Sequence, residues 1–269
     1  MIRDISYVVT ILIDCITCKT TYAEPIIINA DSKSNPIILI HGSSGSQIEW
    51  AYSTEHIKKY LSDHPTYAAS LDLHFDEDEC KQYLRPDDLL PANIGYIKLK
   101  WYNAKLDYDT DYYSIKLDNI VNYLYKKYNK NIILIGHSFG GIIGNYYSIN
   151  GKNKECIDSV ISISSPLRGA PLLENSIIKY ILNTKRHKQM TPNSKFLNDL
   201  HHSIQTTNHK IPRMTVGSNQ DISVPDSHSH FPDNISTVVP NYNKLTFNGH
   251  SHNSILHADT LWKNIAKWL

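Results

Sequence analysis

An excess of charge of either sign is the first thing this chain lacks. Its 27 Lys and Arg nearly balance 26 Asp and Glu, leaving a formal net charge of +1. Nucleic-acid binders carry a clear basic surplus, so that class is excluded. Cysteine is scarce: four in 269 residues do not make a disulfide scaffold. Eleven Gly and 12 Pro are too few for a collagen-like or low-complexity chain. No apolar run reaches the roughly 20 residues that a membrane-spanning helix needs. Internal repeats and domain linkers are missing as well. What is plentiful is Tyr, at 18, and His, at 14, and neither count points to a function by itself.

The N-terminus carries an apolar run over residues 5–18, with Arg3 ahead of it and Thr21-Tyr22-Ala23 behind it. This reads as a secretory signal peptide over residues 1–23, although Asp4 and Asp14 dilute the pattern. A cut after Ala23 makes the protein secreted or periplasmic; without a cut it is cytoplasmic, and the run becomes an extra strand or short helix. Cys15 and Cys18 would leave with the segment. Cys80 and Cys156 would stay, as one disulfide or as two thiols.

Beyond that segment, short apolar runs alternate with helical patterns. Strands are expected at 37–40, 67–73, 131–135, 160–163, 212–216 and 244–247. Helical spacing marks 112–128, the stretch after 139, and the tail from 257 to 269. Residues 76–112, acidic and rich in Tyr and Pro, read as a long excursion. The alternation predicts an α/β fold with a mostly parallel sheet covered on both faces. One domain from about residue 24 to 269 is expected. Residues 172–210 form either a small lid over an apolar pocket or an ordinary amphipathic helix on the sheet.

The chemistry concentrates at Gly136-His137-Ser138-Phe139-Gly140, a G-x-S-x-G pattern. It follows a five-residue apolar strand and precedes an apolar helix, as a serine on a sharp strand-to-helix turn requires. The flanking glycines let strand and helix approach. The turn presents Ser138 Oγ at the carboxyl edge of the sheet, with a helix N-terminus beneath any developing negative charge. The spacing of a phosphate-binding P-loop is absent.

This motif resembles the nucleophile elbow of the α/β-hydrolases, and more narrowly that of bacterial lipases and esterases. The resemblance covers about residues 35–269. His41-Gly42 falls where such enzymes carry part of the oxyanion hole, and Ser164-Ser165-Pro166-Leu167-Arg168-Gly169-Ala170-Pro171 is similar to the Ser/Thr-Pro-x-x-Gly-x-Pro segment of many bacterial lipases. Thr191 to Leu197 is another lipase-like stretch. The resemblance implies an α/β-hydrolase fold, a serine carboxylic ester hydrolase and no cofactor.

The family's order is serine, acid, histidine. Asp221 follows a strand and a Gly turn and precedes Val224-Pro225, so it is the expected acid, with Asp226 and Asp233 as rivals. His252 precedes the Ile255-Leu256 pair and is the expected base, ahead of His250 and His257. The resemblance implies oxyanion donors at the backbone N–H of Phe139 and of Ser43, with Ser44 as the alternate. The histidines near the C-terminus, with His228 and His230, could suggest a metal, but no H-E-x-x-H or Cys pair accompanies them, so no metal is expected. The expected partner is an ester or lipid substrate, with transient contact to a lipid surface and no nucleic acid. Acyltransferase, thioesterase and peptidase chemistry share such a triad, and an inactive binding protein of the same fold is the remaining alternative.

Overall fold

The computed structural model describes residues 34–43, 48–51, 53–70, 96–98, 109–176, 178 and 184–269. The expected signal peptide and Cys80 lie outside the described residues. Cys156 carries a free thiol.

Among the described residues, seven strands form one sheet in the order β3-β2-β1-β4-β5-β6-β7. They are β1 (Ile37–Ile40), β2 (Thr66–Ser70), β3 (Tyr96–Lys98), β4 (Ile132–His137), β5 (Ile157–Ile163), β6 (Arg213–Ser218) and β7 (Asn243–Phe247). Every neighbouring pair is parallel. The expected α/β architecture is therefore present.

The runs of Ile, Leu and Val make these central strands because both faces of the sheet are covered. Alternate residues feed two separate cores. Ile38, Ile40, Leu134 and Val160 pack with α3 (Thr110–Tyr128), α4 (Phe139–Asn150) and α6 (Lys195–Thr206). Ile37, Leu39, Ile133, Ile135, Ile161, Met214 and Val216 pack on the other face. Their partners there are Trp50 of α1 (Ile48–Ala51), Ile57 of α2 (Thr54–Tyr60), and Leu261, Trp262 and Ile265 of α8 (Asp259–Trp268). Truncating one of these aliphatic side chains to Ala removes about 2–5 kcal/mol. Two short helices, α5 (Lys185–Gln189) and α7 (Asp233–Ser236), complete the described helices.

Helix ends follow local chemistry. The Asp109 carboxylate accepts the Tyr112 N–H at 3.3 Å to start α3, and Asn129, at φ 50°, ends it in the left-handed region. Ser194 Oγ caps α6 by accepting the Leu197 N–H at 3.2 Å. One buried cation ties α4 to β6: Arg213 donates to Asn145 Oδ1 at 2.7 Å and to Ser148 Oγ at 3.0 Å. Burial pulls its guanidinium down to about 9.

Two expectations need adjustment. The stretch expected to be an excursion from 76 to 112 contains β3, which pairs with Ala68–Ser70 of β2. A three-residue edge strand is too short to leave a periodic signal. Helix α3 begins at Thr110, two residues before the apolar pattern, because Asp109 caps it there. Between 172 and 210 the described elements are the end of a turn over Pro171–Glu174, α5 and α6. No helix among the described residues is long and apolar enough to cross a membrane.

Candidate active site

Ser138 stands between the last residue of β4 and the first of α4, at φ 52° and ψ −124°. An L-residue is strained there, and the surroundings impose the conformation. The Ser138 N–H donates to Ile163 O at 2.9 Å, and its carbonyl accepts the Gly141 N–H at 3.1 Å. A side chain on Gly136 would run into the backbone of Gly140 and Gly141, and one on Gly140 would run into the carbonyls of Ile40 and His41. Both motif glycines are therefore steric requirements of the turn, as expected.

The loop after β1 lies directly against the serine. A Cβ added to Gly42 would sit 2.9 Å from Ser138 Cβ and 3.5 Å from its Oγ. Ser43 is the next residue along that loop, and Phe139 opens the 12-residue α4. Of the two expected oxyanion donors, Phe139 follows Ser138 in the chain and Ser43 follows Gly42, which lies against Ser138; Ser44 lies outside the described residues.

Asp221 follows β6 in a tight turn, its N–H donating to Ser218 O at 3.2 Å. Its side chain is fully buried. Oδ1 accepts the N–H groups of Ser223 and Val224, each at 2.9 Å. Oδ2 lies 2.7 Å from His252 Nδ1. Burial pushes this carboxyl up, but the bond to His252, its charge and the Val224 N–H outweigh burial and hold it below the ordinary Asp value. His252 sits in the loop after β7, and its side chain is 16% exposed. The structure therefore brings Asp221 and His252 together at the carboxyl edge of the sheet, the edge from which Ser138 also rises.

The rival residues are engaged elsewhere. Asp226 Oδ1 lies 3.0 Å from His230 Nε2. The Asp233 side chain is fully exposed, 3.9 Å from the Arg168 guanidinium. The His250 carbonyl accepts from Ser218 Oγ at 2.6 Å, which fixes the loop two residues before His252. His257 ends the turn over Ser254–His257. The segment with lipase-like sequence ties down the loop after β6: Arg168 donates to the carbonyls of His230 at 3.1 Å and Phe231 at 2.9 Å.

Sequence reasoning missed a second buried carboxylate–imidazole pair. Glu49, on α1, faces His137 Nδ1. His137 Nε2 donates to the His252 carbonyl at 2.9 Å, and the two imidazole rings lie 4.7 Å apart. The only sequence trace was the placement of each partner: one beside Ser138, the other a few residues past His41-Gly42. His41 is also buried, and burial drives its imidazole down to about 4 despite the Glu49 charge.

Comparison with protein-family models gives a match over residues 31–269 to the family described as PGAP1-like alpha/beta domain. The chain belongs to that family. The PGAP1-like domain also shares its fold with several solved α/β-hydrolases. A lipase-esterase related protein from Clostridium acetobutylicum is 18% identical, with a TM-score of 0.54 over 90% of this chain and 97% of that one. Bacillus licheniformis lipase BlEst2 is 16% identical, with a TM-score of 0.52 over 92% of this chain and 95% of that one. Aspergillus fumigatus lipase B is 15% identical, with a TM-score of 0.63 over 90% of this chain and 54% of that one. No curated protein matches the chain by sequence. The PGAP1-like domain thus has the fold of the α/β-hydrolases.

Proposed function

We propose that the protein is a serine carboxylic ester hydrolase with Ser138 as nucleophile, His252 as general base and Asp221 as the acid that orients it. The observation that carries this reading is the 2.7 Å contact between buried Asp221 Oδ2 and His252 Nδ1, at the same sheet edge as the strained Ser138 turn. With Nδ1 held by Asp221, the tautomer is fixed and Nε2 is the nitrogen that takes the Ser138 proton. Ser138 Oγ attacks the ester carbonyl, and the oxyanion is met by the backbone N–H groups of Phe139 and Ser43, aided by the α4 N-terminus. His252 then protonates the leaving alcohol, and water attacks the acyl-enzyme with His252 again as base. Lipases among the fold neighbours support an ester or lipid as substrate.

The test is labelling with a fluorophosphonate, followed by hydrolysis of p-nitrophenyl esters of rising chain length. The wild type is expected to label at Ser138 and to turn over esters. Ser138→Ala is expected to lose labelling and about 10⁴–10⁶ of turnover. A Ser138→Ala protein with full esterase activity would falsify the assignment.

A further inference from the structure

We propose that Glu49 and His137 act in catalysis as positioning residues, a second carboxylate–imidazole pair that fixes where His252 stands; the inference rests on the serine-hydrolase reading above. His137 is 1% exposed, and the Glu49 side chain is 10% exposed. The two ring nitrogens of His137 face a carboxylate oxygen at Nδ1 and the His252 carbonyl oxygen at Nε2. With Glu49 ionised both partners are acceptors, so both nitrogens carry a proton and the ring is an imidazolium. A neutral ring could satisfy only one of the two.

The surrounding groups sustain that charge. Burial alone would strip the proton from His137, but the Glu49 charge and bond, the His252 carbonyl and the Asp221 charge hold its imidazole above the usual His value. Burial alone would raise Glu49, and the charge and bond of His137 hold it below the ordinary Glu value. The other imidazole facing Glu49, His41, is kept neutral by burial. Removing Glu49 therefore removes the reason His137 is charged.

The mechanical consequence falls on His252. Its ring is held at Nδ1 by Asp221, and its main chain is held at the carbonyl by His137. The ring of His137 also lies 4.7 Å from it, tilted by 46°. Glu49 belongs to α1, which follows the loop carrying Gly42 and Ser43, so the pair couples the loop beside Ser138 to the loop of the base. A displacement of about 1 Å in such a group costs on the order of 10²-fold in rate. His137 is next to Ser138 in the chain, so one residue braces both reacting side chains.

The experiment uses the full chain with Glu49→Leu, Glu49→Gln and His137→Phe, read by steady-state kinetics and by the imidazole ¹H–¹⁵N resonance of His252. In Glu49→Leu we expect kcat to fall about 10–100-fold with KM within about threefold, and the Nδ1–H resonance of His252 to broaden or move. Glu49→Gln should recover most of that loss, because its carboxamide can donate to Nδ1 while the Nε2–H still reaches the His252 carbonyl. Should Glu49→Leu not fold, His137→Phe gives the same readings. A folded Glu49→Leu or His137→Phe with kcat within threefold of wild type, or an unmoved His252 resonance, overturns the proposal. So does a loss confined to KM. A wild type that neither labels nor hydrolyses overturns the serine-hydrolase reading instead, and the resonance alone then decides the positioning role.

Discussion

Two carboxylate–histidine pairs hang from the loop after β6, and they differ in what the second ring nitrogen does. In Asp221–His252, the acid takes Nδ1 and no protein partner is recorded at Nε2 among the described residues. In Asp226–His230, the acid takes Nε2 at 3.0 Å, and Thr215 Oγ1 meets Nδ1 at 2.8 Å. Thr215 Oγ1 in turn lies 2.8 Å from Tyr242 OH. His230 is 1% exposed, whereas the His252 ring is 16% exposed. An imidazole bonded at both nitrogens in a dry site is a strut. One bonded at a single nitrogen and partly exposed can carry a proton. Asp–His adjacency is thus common to both, and the free valence separates the proposed base from a structural residue.

Breaking the first pair should have the largest effect. In Asp221→Asn the tautomer of His252 is no longer enforced, and turnover should fall about 10⁴-fold with the thermal midpoint little changed. Ester hydrolysis set beside a melting curve checks this, and a mutant within tenfold of wild type would remove Asp221 from the proposed triad.

The next effect sharpens the comparison through pH, by way of the buried His41. Its folded value of about 4 lies below the ordinary 6.5, so its contribution to stability is present above pH 6.5. It is lost as pH falls toward 4, by up to about 3 kcal/mol. His137 has the opposite sign: its raised value gives stability present below the ordinary His range and lost as pH rises through the folded value. Urea midpoints at pH 7 and pH 5 should fall together with pH, and His41→Gln should flatten that slope. An equal slope in the variant would remove His41 as its source.

The smallest effect comes from breaking the second pair. Thr215→Val leaves His230 Nδ1 without its hydroxyl and should cost about 1–3 kcal/mol in stability. Its kcat should stay within about threefold of wild type, because the strut is not part of the proposed reaction. A 100-fold loss of kcat in a stable Thr215→Val protein would erase the distinction between the two pairs.

How much of this could be read beforehand follows from where the information lies. The buried strands were legible because a sheet covered on both faces needs continuous Ile and Leu. The Ser138 turn was legible because steric demand fixes residue types at fixed spacing. Asp221 and His252 were legible as positions in a chain order, and the 2.7 Å contact between them could only be seen in the fold. Strand β3 left no trace, since three residues of mixed polarity carry no period. Glu49 and His137 left none as a pair, because the contact joins residues 88 apart through packing that one sequence does not encode.

The backbone at Ser138 has a consequence for how such a chain could age. At φ 52° and ψ −124° glycine is comfortable and serine is not. A lineage that no longer needed the nucleophile would find Gly at 138 an easy replacement, one that relaxes the turn rather than merely deleting a hydroxyl. The serine there is a residue that folding alone would not choose, which is what the proposed nucleophile role would demand of this position.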